Sequence, residues 1–225
     1  MGGTASPLRR APYQLVAPLG TTITLALVPQ PSLARSVAIR RVVAQAFVDD
    51  PLLQWMFPDE STRVESTAAW MGLIVEEYIL HARVDTVEID GEIVAAALWR
   101  IPGDARLPHP EHPSLPGLLA ALVGNERQLA IGNALRAFSA VRPTEPFAYL
   151  QFLAVSPPHQ GRGLGREVIR PGVDAAAAAG FGVHLETTNP RNLSFYRSLG
   201  FQVTTELTLE VDGPAASILW MPCPR

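Results

Sequence analysis

The sequence predicts a mixed α/β domain, with helices covering both faces of one sheet, and three observations predict it. Two β-rich runs, 84–89 and 93–99, are joined by Asp90-Gly91, the strongest short hairpin signal. An apolar run at 147–155 leads through a helical pattern at 163–179 into a further run at 182–187, which makes a strand–helix–strand unit. Strands at 201–211 and 216–221 flank Asp212-Gly213-Pro214 as another hairpin. Hairpins make antiparallel neighbours and the crossover makes a parallel one, so the sheet is mixed and mostly antiparallel.

Residues 1–20 carry prolines and glycines without a period, which predicts a flexible N-terminal extension ahead of a single domain over 21–225. The β-branched run 22–28 is a first strand, stopped by Pro29 and Pro31. Ser32 is placed to cap a helix over 33–47, which Asp49-Asp50-Pro51 ends. Leu52, Trp55, Met56 and Phe57 follow as a dense apolar cluster. A second helix spans 61–81, with Val64, Ala68, Met71, Val75 and Tyr78 along one face. After the first hairpin, prolines from 102 to 116 mark a long loop, and one helix is expected from Leu118 to about Val141. A short helix covers 192–199. Pro171 falls inside the helix at 163–179, where it removes a backbone donor and is expected to kink it.

Composition narrows the function classes. A net charge of −3 offers no basic field for nucleic acid or anionic lipid. A single cysteine, Cys223, forbids an internal disulfide and suits a reducing cytoplasm. No run reaches the roughly 18 apolar residues that span a bilayer, and no metal is expected.

The chemistry points to Gln160-Gly161-Arg162-Gly163-Leu164-Gly165, between an apolar strand and a helix. Glycines there let backbone approach a ligand, free amides at a helix start suit an anion, and Arg162 and Arg166 add positive charge. An ordinary strand-to-helix turn is the competing reading. Arg166-Glu167 stands where a Walker A loop needs Lys and Ser or Thr, and the glycine spacing does not make a dinucleotide fingerprint.

The stretch Leu153 to Gly165, with Gln160, Gly163 and Gly165, resembles the acetyl-CoA loop of the GNAT superfamily of N-acetyltransferases, whose pattern is Gln/Arg-x-x-Gly-x-Gly/Ala. Downstream, Asn189 through Tyr196-Arg197-Ser198-Leu199-Gly200-Phe201 resembles the superfamily's second signature, an Asn followed by Tyr-x-x-x-Gly-Phe. Within the superfamily the likeness is greatest to puromycin N-acetyltransferase and its relatives, through Arg170-Pro171-Gly172-Val173, Leu185-Glu186-Thr187 and Pro190-Arg191-Asn192-Leu193.

That resemblance implies a fold whose two central strands splay apart, with the pantetheine arm of acetyl-CoA between them and coenzyme A as product. Leu153, Ala154 and Val155 would meet the arm, and Gln160, Gly161, Arg162, Gly163, Leu164, Gly165 and Arg166 the pyrophosphate. Asn189 and Asn192 would contact pantetheine or, alternatively, cap the helix. The Val155 amide would steady the oxyanion of a tetrahedral intermediate formed by direct amine attack, and Tyr196 would protonate the departing thiolate. Glu186 is the favoured base. Its competing reading is structural pairing with an arginine, and His184, two residues away, is the alternative base.

The expected acceptor is the primary amine of a small molecule, with a protein or peptide amine, or a non-catalytic acetyl-CoA-binding module, as alternatives. Neither nucleic acid nor membrane is an expected partner, and the resemblance leaves room for a homodimer. Its candidate wall is Asp49, Asp50, Trp55, Met56, Phe57, Glu76, Glu77 and Tyr78, where acids would favour a cationic amine. A packed core for the aromatics and a solvated face for the acids is the plainer alternative.

Overall fold

The computed structural model describes residues 13–16, 22–27, 32–103, 114–209 and 212–224. Among these, eight strands form one sheet: β1 (Tyr13–Val16), β2 (Thr22–Leu27), β3 (Arg83–Ile89), β4 (Glu92–Arg100), β5 (Phe147–Val155), β6 (Gly182–Thr187), β7 (Gln202–Thr208) and β8 (Ala215–Met221). Their spatial order is β1-β2-β3-β4-β5-β6-β8-β7, antiparallel throughout except between β5 and β6. β1 pairs with β2 inside the stretch read as an extension; a four-residue edge strand is too short to show a period. Most of the predicted proline-rich loop, at 104–113, lies outside the described residues.

The helices follow local signals closely. Ser32 accepts the Arg35 amide and caps α1 (Leu33–Phe47), as predicted. Asp50 then accepts the Leu52 amide at 2.9 Å and caps a short α2 (Pro51–Met56), so the predicted breaker also starts an element. α3 covers Arg63–His81. Asp90 and Gly91 both take positive φ, 51° and 83°, as the tight β3–β4 hairpin requires.

The single helix expected over 118–141 is two, α4 (Ser114–Val123) and α5 (Asn125–Ala140). Gly124 separates them at φ 83° and ψ 162°, an extended positive-φ conformation that glycine adopts readily, and the chain changes direction there. α6 (Leu164–Ala178) runs unbroken through Pro171. The next residue, Gly172, lies so close to Trp99 of β4 that a Cβ would sit 2.1 Å from the indole. α7 (Leu193–Ser198) follows a 3-10 turn over Pro190–Asn192.

Apolar packing on both faces leaves the centre of β4 buried from Ile93 to Trp99. On one face Ile39 and Val43 of α1 meet Met71 and Val75 of α3 over Leu98 and Phe152. On the other, Val168 and Ile169 of α6 meet Trp99, Leu150, Val183 and Leu185.

The feature that positions the site is a fork. β5 and β6 pair only from Phe147↔Gly182 to Tyr149↔His184. Beyond those pairs β5 stays with β4 through Val155 and β6 stays with β8 through Thr187, so the two strands part. Just past the last pair, Leu98 faces Phe152 while Trp99 faces Leu150, which makes Gln151 the extra residue of a bulge. The bulge reverses the alternation: Leu150 packs toward α6, but Phe152 and Ala154 pack toward α1 and α3. The Tyr78 hydroxyl donates to Gln151 Oε1 at 3.1 Å and braces it.

Candidate active site

Beyond the fork, one edge of β5 has no neighbouring strand among the described residues. The Ser156 amide donates to the Val94 carbonyl of β4 at 2.8 Å. Successive strand residues turn their backbone groups to opposite edges, so Val155 and Leu153 present theirs to the fork. The Val155 carbonyl indeed accepts from Gln160 Nε2 at 3.1 Å, away from β4. Ala154, expected to meet the same ligand, turns its backbone to β4 and buries its side chain; strand alternation excludes it.

The loop after β5 folds as an anion cradle. Gly161 and Gly163 adopt φ 73° and 80°, and Gly163 caps α6 without any side-chain hydrogen bond, leaving the first helix amides to a ligand. Gln160, Arg162 and Gly163 are exposed, while Leu164 is buried and anchors the helix. Gly165 serves packing: a Cβ there would lie 3.2 Å from the Phe195 ring of α7. The two arginines have different partners. Arg162 reaches solvent on the loop, whereas Arg166 Nη2 donates to Ser198 Oγ at 2.7 Å and ties α6 to α7.

Between the fork and the helices α1, α3 and α5 lies a cavity of about 270 Å³. Phe47, Trp70, Ile74 and Phe138 make its apolar wall, and Asp50, Glu186, Thr188, Asn192 and Tyr196 bring polar atoms to it. Tyr196 is 7% exposed. Burial, with a smaller push from the Asp50 charge, raises its pKa well above the ordinary phenol value, so the hydroxyl keeps its proton at neutral pH. Asn192 Nδ2 donates to Thr187 Oγ1 at 3.4 Å beside the cavity. Asn189 instead accepts the Arg191 amide at 3.1 Å and caps the 3-10 turn, the second of its two expected roles.

Because Val183 and Leu185 pack toward α6, Glu186 and His184 take the opposite face, and Glu186 reaches the cavity. Its carboxylate is already engaged. His184 Nε2 lies 3.0 Å from Oε1, and Arg142 Nε lies 3.8 Å from it. Arg142 in turn lies over the Tyr149 ring at 4.8 Å, and Tyr149 stacks on His184. Burial first, then the Glu186 charge, push the Tyr149 pKa well up.

Of the expected acceptor wall, only Asp50 lines the cavity. Met56 and Phe57 are core, Asp49 is exposed, Glu76 pairs with Arg40, Trp55 lies beneath Arg127, and Tyr78 sits behind the bulge. Arg142, Tyr149 and Thr188 were not legible as site residues, because no local pattern announces which side chains of separate elements meet.

A fork that leaves backbone edges open beside a glycine-rich helix start, next to a walled cavity, defines an acyl-coenzyme A acyltransferase architecture. The chain matches the sequence profile of the acetyltransferase (GNAT) family over residues 44–201. It is 31% identical over 125 residues to the L-amino acid N-acyltransferase MnaT of Escherichia coli strain K12, covering 51% of this chain and 70% of that protein. Over 60 residues it is 40% identical to the N-alpha-acetyltransferase RimI of Mycobacterium tuberculosis, which is 26% of this chain but spans only 38% of that relative. A solved structure described as histone acetyltransferase HPA2 and related acetyltransferase, from Corynebacterium glutamicum, shares the fold with a TM-score of 0.65 at 23% identity, covering 89% of this chain and 97% of that one. The chain belongs to the acetyltransferase (GNAT) family. That membership, with the N-acyltransferase relatives, makes it an acyl-CoA-dependent N-acetyltransferase.

Proposed function

We propose that the protein transfers the acetyl group of acetyl-CoA to the primary amine of a small molecule. The observation that carries this reading is the cavity at the fork. At about 270 Å³ it is lined by residues of α1, α2, α3, α5 and α7 and lies just below the usual range of ligand pockets, roughly 300 to 1,000 Å³. The relative MnaT, named for L-amino acids, supports a small acceptor. RimI, an N-alpha-acetyltransferase, favours the second reading, a peptide amine, which would need an extended groove.

The donor's thioester supplies the acetyl group; this chain supplies the positioning. The Leu153 and Val155 backbone groups pair with the pantetheine arm, as a neighbouring strand would. Gly161, Gly163, Leu164 and Gly165 offer amides to the pyrophosphate, and Arg162 adds charge at the rim. A Val155 amide aimed at the developing oxyanion contributes a few kcal/mol to the transition state, typically about 3. Tyr196, protonated at neutral pH, gives its proton to the departing sulfur. The amine must arrive neutral at the carbonyl, and two carboxylates reach the cavity to take its proton: Glu186 and Asp50.

Gly172 against Trp99 gives a packing reason for Arg170-Pro171-Gly172-Val173, one of the segments that support the proposed likeness to puromycin N-acetyltransferase and its relatives. The test is thiol release from acetyl-CoA against a panel of small primary amines, aminonucleosides and peptides. Release with small amines and not with peptides is expected; release with peptides alone would overturn the reading.

A further inference from the structure

The geometry points to Asp50, rather than Glu186, as the carboxylate that receives the acceptor's primary ammonium and takes its proton. The inference rests on the acetyl-transfer reading above and decides between its two carboxylates.

The argument starts from what each carboxylate is already doing. Glu186 already has two basic neighbours: the His184 ring, with Nε2 3.0 Å from Oε1, and the Arg142 guanidinium, with Nε 3.8 Å from the same oxygen. A carboxylate that faces a guanidinium has part of its charge offset before any ligand arrives. Asp50 differs. Its Oδ1 accepts the Leu52 amide at 2.9 Å and the Thr188 hydroxyl at 2.7 Å, both neutral donors on one oxygen, and no basic side chain among the described residues forms an ion pair with it. Oδ2 is left for the cavity that Asp50 lines. The residue is only 9% exposed, so that oxygen gains little from bulk water. Burial accordingly pushes the Asp50 pKa up, against the two hydrogen bonds that pull it down, which moves it toward a useful base.

Position favours Asp50 as well. It is tied across 138 residues to Thr188, just beyond the end of β6, and its charge is felt at Tyr196, the donor for the departing sulfur. The other charged groups on the cavity, Glu186 and Arg142, face each other at 3.8 Å, and Arg142 lies over the Tyr149 ring. An ammonium on an apolar body therefore meets one anion without a basic partner among the described residues, with Phe47, Trp70, Ile74 and Phe138 around the body.

The proton balance closes. The ammonium gives one proton to Asp50, the neutral nitrogen bonds to the acetyl carbon, and the carbon–sulfur bond breaks. Tyr196 gives its proton to sulfur and recovers one from the second hydrogen that the nitrogen sheds. Asp50 then releases its proton to solvent.

Asp50→Asn is the informative variant, because Asn caps as well as Asp and keeps an oxygen for both Leu52 and Thr188. With coenzyme A bound, calorimetry compares phenethylamine with its neutral isostere 2-phenylethanol. The wild type is expected to prefer the amine, and Asp50→Asn to lose at least tenfold in amine affinity while alcohol and coenzyme A affinities stay constant. In turnover, kcat/KM falls about 100-fold or more and loses its acidic limb. Glu186→Gln is expected to retain the amine preference. Equal amine binding by Asp50→Asn and wild type, or loss of the preference and the acidic limb in Glu186→Gln alone, would overturn the assignment. If the amine preference depends on Asp50 but no amine releases thiol, the ammonium site stands and the acetyl-transfer reading falls.

Discussion

Replacing Gly172 by alanine tests whether the helix that carries the anion cradle is held where the structure places it. A Cβ at 172 would lie 2.1, 2.3 and 2.5 Å from three atoms of the Trp99 indole. Carbon contacts relax at roughly 3.5 Å, so helix or indole must retreat by more than an ångström. Trp99 is fully buried, between α6 and the centre of the sheet, and has nowhere to rotate. Overpacking of this kind costs about 1–3 kcal/mol, and three simultaneous clashes with a rigid ring put it at the upper end. Alanine recovers about 1 kcal/mol as a better helix former than glycine. The net expectation is a loss of about 2 kcal/mol, or about 4–8 °C in Tm for a chain of this size. Urea unfolding and calorimetry read the loss. Coenzyme A titration reads its consequence, because a displaced α6 carries the Gly163 amides with it and affinity falls. A variant as stable as the wild type, with unchanged coenzyme affinity, would refute the close approach and the coupling of Trp99 to the loop.

Tyr196→Phe should lower kcat by about 100-fold or more while leaving coenzyme A affinity within twofold, measured by thiol release and calorimetry; an unchanged kcat would remove Tyr196 from the chemistry. Since burial holds the Tyr196 proton above the ordinary phenol range, the wild-type rate should show no alkaline loss from this group up to about pH 10. The two loop arginines should separate: Arg162→Ala raises the KM for acetyl-CoA severalfold at low salt and less at high salt, whereas Arg166→Ala lowers Tm by loosening α7. Asp50 has a folded pKa raised above its usual 3.8, so the native state holds its proton more tightly and stability falls as pH rises from that value through the folded pKa. Asp50→Asn should therefore raise Tm at pH 8, with the gain vanishing as the pH drops toward 4 in calorimetric scans; a lower Tm at pH 8 would contradict a buried charge.

Local signals carried far in this chain. Ser32 announced α1, Asp90-Gly91 the β3–β4 turn, and the apolar runs the strands from β3 to β8, because caps, turn residues and side-chain period act over a few neighbours. One reading failed where a single residue outweighed a pattern: Gly124 divides a helical run that otherwise continues.

By itself the sequence determined the order of elements, the glycine-rich loop between β5 and α6, and the Asn189-to-Phe201 signature, each a contiguous string whose geometry depends on its own residues. Only the tertiary structure decided where the fork opens, since β5 and β6 part through pairings with β4 and β8 that lie far away in the chain. The same holds for the carboxylates. Both were visible as acidic letters, but the Arg142 guanidinium beside Glu186 comes from just past the end of α5, and Asp50 meets Thr188 from 138 residues away. A carboxylate's chemistry depends on what surrounds it, and in a folded chain those surroundings are set by contacts between distant segments.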